Sequence, residues 1–553
     1  MIIHSFDLTL SPGIPSGDDI SIHAYYSMRL TQTMGLLLID KKIGEEYIAT
    51  QYPNFIHVTL SLVYFVAGDP LLVMKAYGLL EFTIVIIGII LYLFLFKSIM
   101  KFDKIELVTF SALLPLFCYW ILQTLAAGSL MYLFDILIVL PSVLLTLHHN
   151  KTFLAGVFYG LSCLNWLGFL VITIIIILQI TTNVVTCLKV KRTARNGLFS
   201  RKFLTPFLGF LLGGNVFLLR FFYYAIFKYL PRLSLGLRLD ESSRSVTLNY
   251  KCYEDLSTIS KYLYLNNAHF LYFILTIIVL SIAYLALKRV WRKDNEKTQN
   301  EDSLVISLNL SWLSILILAI IICRFNIANA FEIQVRLLRT LSFMSTIPLA
   351  SLVKLSRYLS EISEIHVIKK HIGNIGMKSS VSIIVCCLLL FSLITSGYYP
   401  KLIEGPAKLV RADHELIQEV LHIRWDLLKD ERDAVILTMQ QVGSYLIPLL
   451  SIPQQNVTVF LLTPIDQLER LDKEDPQRKF SAIFWDALYF KNCSRLLSYN
   501  VKYLVVVKPI ENQFYWSSYA KLARSLWNMN FSDIASITYQ TENIKLWSFC
   551  MIR

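Results

Sequence analysis

Residues 84–96 read Ile-Val-Ile-Ile-Gly-Ile-Ile-Leu-Tyr-Leu-Phe-Leu-Phe, an apolar run without a charge or an amide. Apolar residues continue upstream toward Leu71, broken only by isolated groups such as Lys75 and Glu81. A hydrocarbon core about 30 Å thick takes about 20 apolar residues at 1.5 Å of rise each. The run with its flanks meets that length. Phe169–Ile180 and Leu271–Leu287 repeat the pattern. None of these blocks carries a polar face to turn toward water, which argues against the core helices of a large soluble protein. The composition agrees. The chain of 553 residues is 55% hydrophobic and only 16% charged, and its mean hydropathy is +0.55. A soluble protein would carry roughly 25% charged residues.

Spans are predicted near 72–97, 105–122, 128–147, 152–166, 167–186, 203–228, 265–287, 304–323, 338–354 and 381–397. The fourth and fifth meet at Asn165-Trp166-Leu167-Gly168, which reads as a helix pair turning within the membrane. The formal charge of +13 does not point to nucleic acid, because much of the Lys and Arg sits in short loops between spans. Lys189–Lys202 holds Lys189, Lys191, Arg192, Arg195, Arg201 and Lys202 and no acid, which marks it as cytoplasmic. Counting outward puts three further basic loops inside: Lys97 to Lys104, Lys288 to Lys293, and Lys354 to Lys378. The same count puts residues 1–71, the loop 229–264 and residues 398–553 outside. Loop 229–264 breaks the charge rule, since it carries Arg232, Arg238, Arg244, Lys251 and Lys261.

The expected fold is therefore a polytopic α-helical membrane protein of about ten transmembrane helices with an extracytoplasmic C-terminal α/β domain. It divides into a first outside segment with juxtamembrane helices (1–71), a transmembrane domain (72–397) and the α/β domain (398–553). In the last, a helical stretch at Glu415–Lys429 precedes short β-type runs at Ala434–Met439, Val457–Leu462 and Val501–Val507. Asn456-Val-Thr, Asn492-Cys-Ser and Asn530-Phe-Ser are glycosylation-type triplets on it. The nine cysteines lack metal-ligand spacing. Cys118, Cys163, Cys187, Cys323, Cys386 and Cys387 sit in or beside apolar blocks as small hydrophobes. Cys252, Cys493 and Cys550 fall in polar regions, where two of them can form a disulfide.

The start of the chain lacks a basic region followed by an apolar one, so no signal peptide is read. The first outside segment is the informative one. From Gly17 it reads Gly-Asp-Asp-Ile-Ser-Ile-His-Ala-Tyr-Tyr-Ser-Met-Arg-Leu. Asp19 and His23 are four apart and share a helix face; Asp18 points elsewhere. Gly35 follows, then Gln51-Tyr52-Pro53-Asn54-Phe55-Ile56-His57 and an amphipathic stretch ending at Gly68-Asp69-Pro70. Pro53 suits a first helical turn, with His57 about one turn further in.

This arrangement resembles the GT-C superfamily of membrane glycosyltransferases. It looks most like the polyprenyl-phosphate-sugar enzymes: protein mannosyltransferases, aminoarabinose transferases and their prokaryotic, especially archaeal, relatives. Gly17-Asp18-Asp19 with His23, Gly35, the segment Tyr52-Pro53 to His57, and Gly68-Asp69-Pro70 before a long span carry the resemblance. The plan matches over nearly the whole chain, the sharp motif only over about residues 17–70. It departs in two places. Superfamily members begin with a transmembrane helix before the catalytic loop, whereas the first long apolar block here begins near Leu71. The Trp-Trp-Asp signature of oligosaccharyltransferases does not occur, which favours single-sugar transfer over whole-glycan transfer to asparagine.

The resemblance implies a multi-pass plasma-membrane enzyme. It would move a sugar from a polyprenyl-phosphate donor to a hydroxyl of a glycan, lipid or protein acceptor, among membrane lipids and without nucleic acid. The donor brings its own leaving group, so the enzyme chiefly needs a base for the acceptor hydroxyl. Asp19 is that candidate, with Asp18 beside it. Cations or donors must meet the charge developing on the phosphate; Arg336 and Arg339, at the outer end of a span, and Arg238 and Lys251 in the anomalous loop are candidates. His23, Tyr52 and His57 are candidate donor- or acceptor-binding residues. The carboxylate pair offers the hard oxygens that Mg²⁺ or Mn²⁺ takes, but one pair is not a site.

Plainer readings stand beside these. Ser16-Gly17-Asp18-Asp19 has helix-capping chemistry. His23, His57 and Tyr52 suit a membrane interface, and Arg336 and Arg339 suit snorkelling anchors. Glu81 and Asp135 are ionisable groups inside apolar spans, where such groups are costly and often functional. The rival function is a transporter or flippase of lipid-linked sugars. Transporters place substrate near the bilayer midplane, often between repeats, whereas here the polar cluster precedes the first span and no repeat is visible. A third reading is a non-catalytic assembly or receptor protein displaying its C-terminal domain.

Overall fold

The computed structural model describes residues 18–32, 54–104, 107, 110, 130–164, 166–189, 201–224, 252–253, 255–264, 270–291, 296–324, 330–351, 414–439, 445–470, 476–509 and 517–550. Two helices precede the first long one: α1, Asp18–Gln32, and α2, Asn54–Ala67. The third, α3, Pro70–Ile99, occupies the first expected span. The motif Gly68-Asp69-Pro70 makes the joint. Gly68 takes φ 65° and donates its amide to the Tyr64 carbonyl, ending α2. The Asp69 carboxylate accepts from the Leu71 amide at 2.8 Å, and Pro70 fills the first turn of α3, where no amide proton is needed.

α4, Leu130–Phe134, passes through a π-helical turn, Asp135–Val139, into α5, Leu140–His148. Then come α6, Thr152–Leu161, α7, Trp166–Lys189, and α8, Arg201–Tyr224. At the expected break a 3₁₀ turn, Ser162–Leu164, lies between α6 and α7, and the Tyr159 hydroxyl meets Thr173 at 2.8 Å. α6 lies against α8 at backbone contact. A methyl on Gly156 would collide with the Pro206 carbonyl, and one on Gly213 with that of Val157. Gly156 and Gly160 on one helix and Gly209 and Gly213 on the other are each four apart, the small-residue spacing that brings apolar helices together.

The remaining helices of this part are α9, Leu256–Leu263, α10, Phe270–Trp291, α11, Glu296–Arg324, and α12, Ala330–Met344. Two described helices have the length and apolar character to cross a membrane by themselves, Pro70–Ile99 and Leu304–Arg324; shorter apolar helices include Tyr132–His148, Gly168–Thr181 and Phe270–Leu285. The spans expected at 381–397 and, except for residues 107 and 110, at 105–122 lie outside the described residues. The span expected at 338–354 differs from its reading. Its helix starts eight residues earlier, at Ala330, and residues 337–351 are buried apart from Arg339. The segment is held by polar contacts with neighbouring helices. Trp312 Nε1 donates to the Leu341 carbonyl at 3.1 Å, Tyr264 shares a hydrogen bond with Ser345 at 2.7 Å, and Asn309 Nδ2 donates to Ser351 at 3.0 Å. Hydroxyl and amide side chains serve helix–helix contact in this way where water is excluded.

The C-terminal part opens with α13, His414–His422, extended by a π-helical turn, Ile423–Leu427. It continues with β1, Val435–Met439, α14, Leu446–Leu450, and β2, Thr458–Leu462. It ends with α15, Pro476–Tyr489, α16, Ser494–Ser498, β3, Val501–Val507, α17, Ser517–Asn528, β4, Ala535–Gln540, and β5, Ile544–Phe549. The sheet order is β2-β1-β3-β5-β4, with β1 parallel to β2 and β3, and β5 antiparallel to β3 and β4. The three expected strands are present, and β4 and β5 complete the sheet.

Successive strand residues point to opposite faces, and the two faces do different things. Leu437, Leu504 and Val506 pack under α15 and α17 against Phe484, Leu526 and Phe531. Ile436, Val459 and Val505 share one core with Ile20, Ala24 and Met28 of α1, Ile56 and Leu60 of α2, and Val73 and Tyr77 of α3. Within this shared core α1 meets the C-terminal part through α14 and the 3₁₀ turn Pro453–Gln455, and α14 packs in turn on β2.

Two disulfides are formed, Cys252–Cys323 and Cys493–Cys550. The second joins two of the three polar-region cysteines. The first corrects the reading of Cys323 as a small hydrophobe: it lies in the last turn of α11, where the segment before α9 returns to meet it. Cys163 is free and buried. Cys118, Cys386 and Cys387 lie outside the described residues, as does the side chain of Cys187.

Candidate functional site

Asp18 and Asp19 open α1, which places Asp19 one helical turn before His23. The side chains of both aspartates lie outside the described residues, as do Gly35 and Tyr52. His23 and His57 are brought together. His23 Nδ1 lies 2.9 Å from His57 Nε2, and both rings are buried. The His23 ring stacks between His57 and Tyr77, with centroids 5.2 and 5.1 Å apart, while Tyr26 stands edge-on to His57. The Tyr77 hydroxyl accepts from the Leu130 amide at 3.2 Å, tying the box to the first residue of α4. Burial, and then the charge at His57, holds the His23 imidazole well below its ordinary value of 6.5, so the ring is neutral. A neutral pair at this distance has one ring donating and the other accepting.

Arg336 and Arg339 lie on α12, Arg336 exposed and Arg339 half-buried. Tyr132, two residues after Leu130, donates its hydroxyl to the Arg336 carbonyl at 3.0 Å and bonds Thr340 at 2.7 Å. Arg339 Nε donates to the Tyr262 hydroxyl at 3.4 Å, and Tyr262 packs on Tyr253. Gln334 clamps Tyr253, accepting from its amide at 2.9 Å and donating to its carbonyl at 2.8 Å. This tyrosine-lined cationic corner sits beside the Cys252–Cys323 bridge. Arg238 and Lys251 lie outside the described residues.

Tyr77, Tyr132 and Tyr262 were not legible as site residues, because a tyrosine near the end of an apolar run reads as an interfacial anchor. Of the two acids that the sequence sets inside apolar runs, Glu81 is buried on α3. Asp135 is buried on the π-helical turn, its carboxylate set against Gly168 of α7, and neither oxygen has a hydrogen-bond partner among the described residues. Among the described residues no three of His, Cys, Asp or Glu gather as a metal site.

Neither a family model nor a curated protein matches the sequence. Solved structures do match. The archaeal oligosaccharyltransferase AglB from Archaeoglobus fulgidus, in complex with an inhibitory peptide and a dolichol-phosphate, aligns with TM-score 0.50 and 13% identity over 92% of this chain and 68% of its own. The same enzyme in complex with Zn and sulfate aligns with TM-score 0.47 and 12% identity over 92% and 67%. ArnT from Cupriavidus metallidurans aligns with TM-score 0.46 and 11% identity over 99% of this chain and 96% of its own. This chain therefore shares its fold with the archaeal oligosaccharyltransferase AglB.

Proposed function

We propose that the protein transfers a hexosyl or pentosyl group from a polyprenyl-phosphate donor to an acceptor hydroxyl at the outer face of the membrane, with inversion. The observation that carries this reading is the placement of α1. The helix that bears Asp19 and His23 is enclosed by α2, α3 and the sheet domain, in a fold shared with an enzyme solved with a dolichol-phosphate. The outer-face assignment is supported by the cysteines. Cys493–Cys550 lies within the segment that the loop charges put outside, Cys252–Cys323 joins the outside loop 229–264 to the outer end of the expected span 304–323, and disulfides persist on the oxidising side of a membrane.

The chemistry follows from the donor. The Asp19 carboxylate takes the proton of the acceptor hydroxyl, whose oxygen attacks the anomeric carbon. The bond from that carbon to the phosphate oxygen breaks, and the polyprenyl phosphate leaves with the electron pair. Arg336 and Arg339 stabilise its charge. The buried pair of His23 and His57 braces α1 against α2 and so fixes the helix that carries the base. The acceptor is a glycan, a lipid or a protein.

The test is incubation of the purified protein with a panel of polyprenyl-phosphate sugars, scoring donor consumption with and without candidate acceptors. Consumption of one donor that Asp19→Asn abolishes supports the reading. Movement of a lipid-linked sugar across vesicle membranes without donor consumption would instead establish the flippase.

A further inference from the structure

Three Asn-X-Ser/Thr triplets lie in the C-terminal domain, and their settings differ. Asn492 is exposed, and its side-chain oxygen accepts from the Ser494 amide at 2.9 Å and the Ser494 hydroxyl at 2.7 Å. The hydroxyl two residues on thus holds the amide oxygen and leaves Nδ2 toward water. Asn530 is exposed in a similar turn, its side-chain oxygen accepting from the Ser532 amide at 3.0 Å. Both turns are anchored from beneath, by the Cys493–Cys550 bridge and by fully buried Phe531. They are neighbours: Lys491 Nζ meets Asp533 at 2.9 Å across them.

Asn456 is different. It adopts a left-handed conformation at φ 59°, and its Nδ2 donates to Asp433. The rest of its triplet is buried, Val457 ahead of β2 and Thr458 within it, with the Thr458 amide bonded to the Ala434 carbonyl. Two residues before it, Gln454 accepts from Tyr64 of α2, so a substituent on Asn456 would sit against the seam between the domain and α2.

One more feature lies at Asn492. Tyr489 and Phe490, packed edge to face, are 81% and 70% exposed just before it. The C–H faces of a sugar stack on aromatic rings.

We infer that Asn492 and Asn530 are N-glycosylation acceptors and that Asn456 is not. The ligand class is a lipid-pyrophosphate-linked oligosaccharide, delivered by a separate asparagine-directed transferase. The Asn Nδ2 forms a bond to the anomeric carbon and gives up a proton, while the bond from that carbon to the pyrophosphate oxygen breaks and the lipid pyrophosphate leaves. The inference rests on the outer-face part of the proposed function.

The test uses the full chain purified from its own membranes. Peptide mass spectrometry should find a glycan mass on the peptides of Asn492 and Asn530 and none on that of Asn456. Asn492→Gln, Ser494→Ala, Asn530→Gln and Ser532→Ala should each remove one glycan and leave donor consumption unchanged. Bare Asn492 and Asn530 peptides, or equal occupancy at Asn456, would overturn the inference. In parallel, Asp466→Cys on the same domain is exposed to a membrane-impermeant maleimide on intact cells. Labelling with bare asparagines sinks the acceptor assignment alone; no labelling with bare asparagines sinks the outer-face reading as well.

Discussion

His23 Nδ1 faces His57 Nε2 at 2.9 Å, in a box closed by Tyr77 and Tyr26. Two helices distant in sequence are thereby joined by a buried hydrogen bond, which needs at least one of the two rings neutral to accept it. The pH dependence follows. The folded pKa of His23 is depressed below its unfolded value of 6.5, so between those values the unfolded chain binds the additional proton. Stability from this group is fully present above pH 6.5 and is lost as pH falls toward the folded pKa. Thermal unfolding in detergent should show a midpoint that drops below pH 6.5, and His23→Gln should flatten that slope. A slope unchanged by the substitution would put its cause elsewhere.

The base and the cations separate by kinetics. Asp19→Asn should cost about 10²–10⁴-fold in turnover with donor binding kept, the range of a lost general base. Arg339→Ala removes a charged hydrogen-bond donor, about 1.5–3 kcal/mol. It should weaken use of the lipid donor about 10-fold or more while the protein still inserts. Unchanged donor kinetics in that variant would return Arg339 to a snorkelling anchor on Tyr262.

The disulfides join residues separated by 71 and 57 positions. Removing a native disulfide typically costs about 2–5 kcal/mol. Cys493→Ser should lower the unfolding midpoint, and Cys323→Ser should do so by loosening α11 from the segment before α9. Non-reducing peptide maps should contain both linked pairs; free thiols at all four positions would remove the support they give to the outer face.

The contact of α6 with α8 is read directly by mutation. Gly160→Leu would drive a side chain into the Phe210 carbonyl and the backbone at Gly213 and Gly214. Overpacking of this kind costs about 1–3 kcal/mol, and here the atoms in the way are backbone, which cannot turn aside. Detergent stability should fall, and more so than for Gly68→Ala, where the added carbon meets nothing but the backbone is held at positive φ.

Much of this was legible where one physical signal dominated. The run at 84–96 gave α3, and the break at Asn165 gave the folded pair of α6 and α7. The short β-type runs Ala434–Met439, Val457–Leu462 and Val501–Val507 gave the parallel strands. β4 and β5 went unread because β4 is an exposed edge strand whose Ser-Ile-Thr-Tyr alternates weakly, and Ile544–Phe549 carries Lys545 and Ser548 in a short run. The helix around 338–354 was misplaced for a related reason. Apolar content marks what faces lipid, but this helix is buried among helices and spends Thr340, Ser342, Ser345 and Ser351 on internal hydrogen bonds. At the site, spacing put Asp19 and His23 on one face, and the segment at 51–57 marked His57. The pairing of the two histidines, and their partner Tyr77, depends on how three helices cross, which no local pattern records.

Arg424 offers the sharpest test of how the sheet domain is fixed over α1 and α2. It is almost wholly buried on a π-helical turn, where it lacks a carboxylate partner among the described residues. Burial lowers its pKa, with Tyr64 and then Asp69 pulling the other way. Its Nη1 donates to the Leu449 carbonyl at 2.9 Å and to that of Ser451, capping the end of α14; its Nη2 reaches the Tyr64 hydroxyl of α2 at 3.3 Å. Arg424→Met leaves those acceptors buried without a donor, at about 1–3 kcal/mol for each. Tyr64→Phe keeps the cap on α14 but removes the hydroxyl that meets both Arg424 and Gln454, and should cost about 1–2 kcal/mol. If the guanidinium couples the domain to α2, the double variant will be less destabilised than the sum of the singles by more than about 0.5 kcal/mol. The domain should also become protease-sensitive in Arg424→Met. Strict additivity, with protease resistance kept, would reduce Arg424 to a local cap on α14 and leave the apolar core shared by Ile20, Leu60 and Val459 as what holds the sheet over the site.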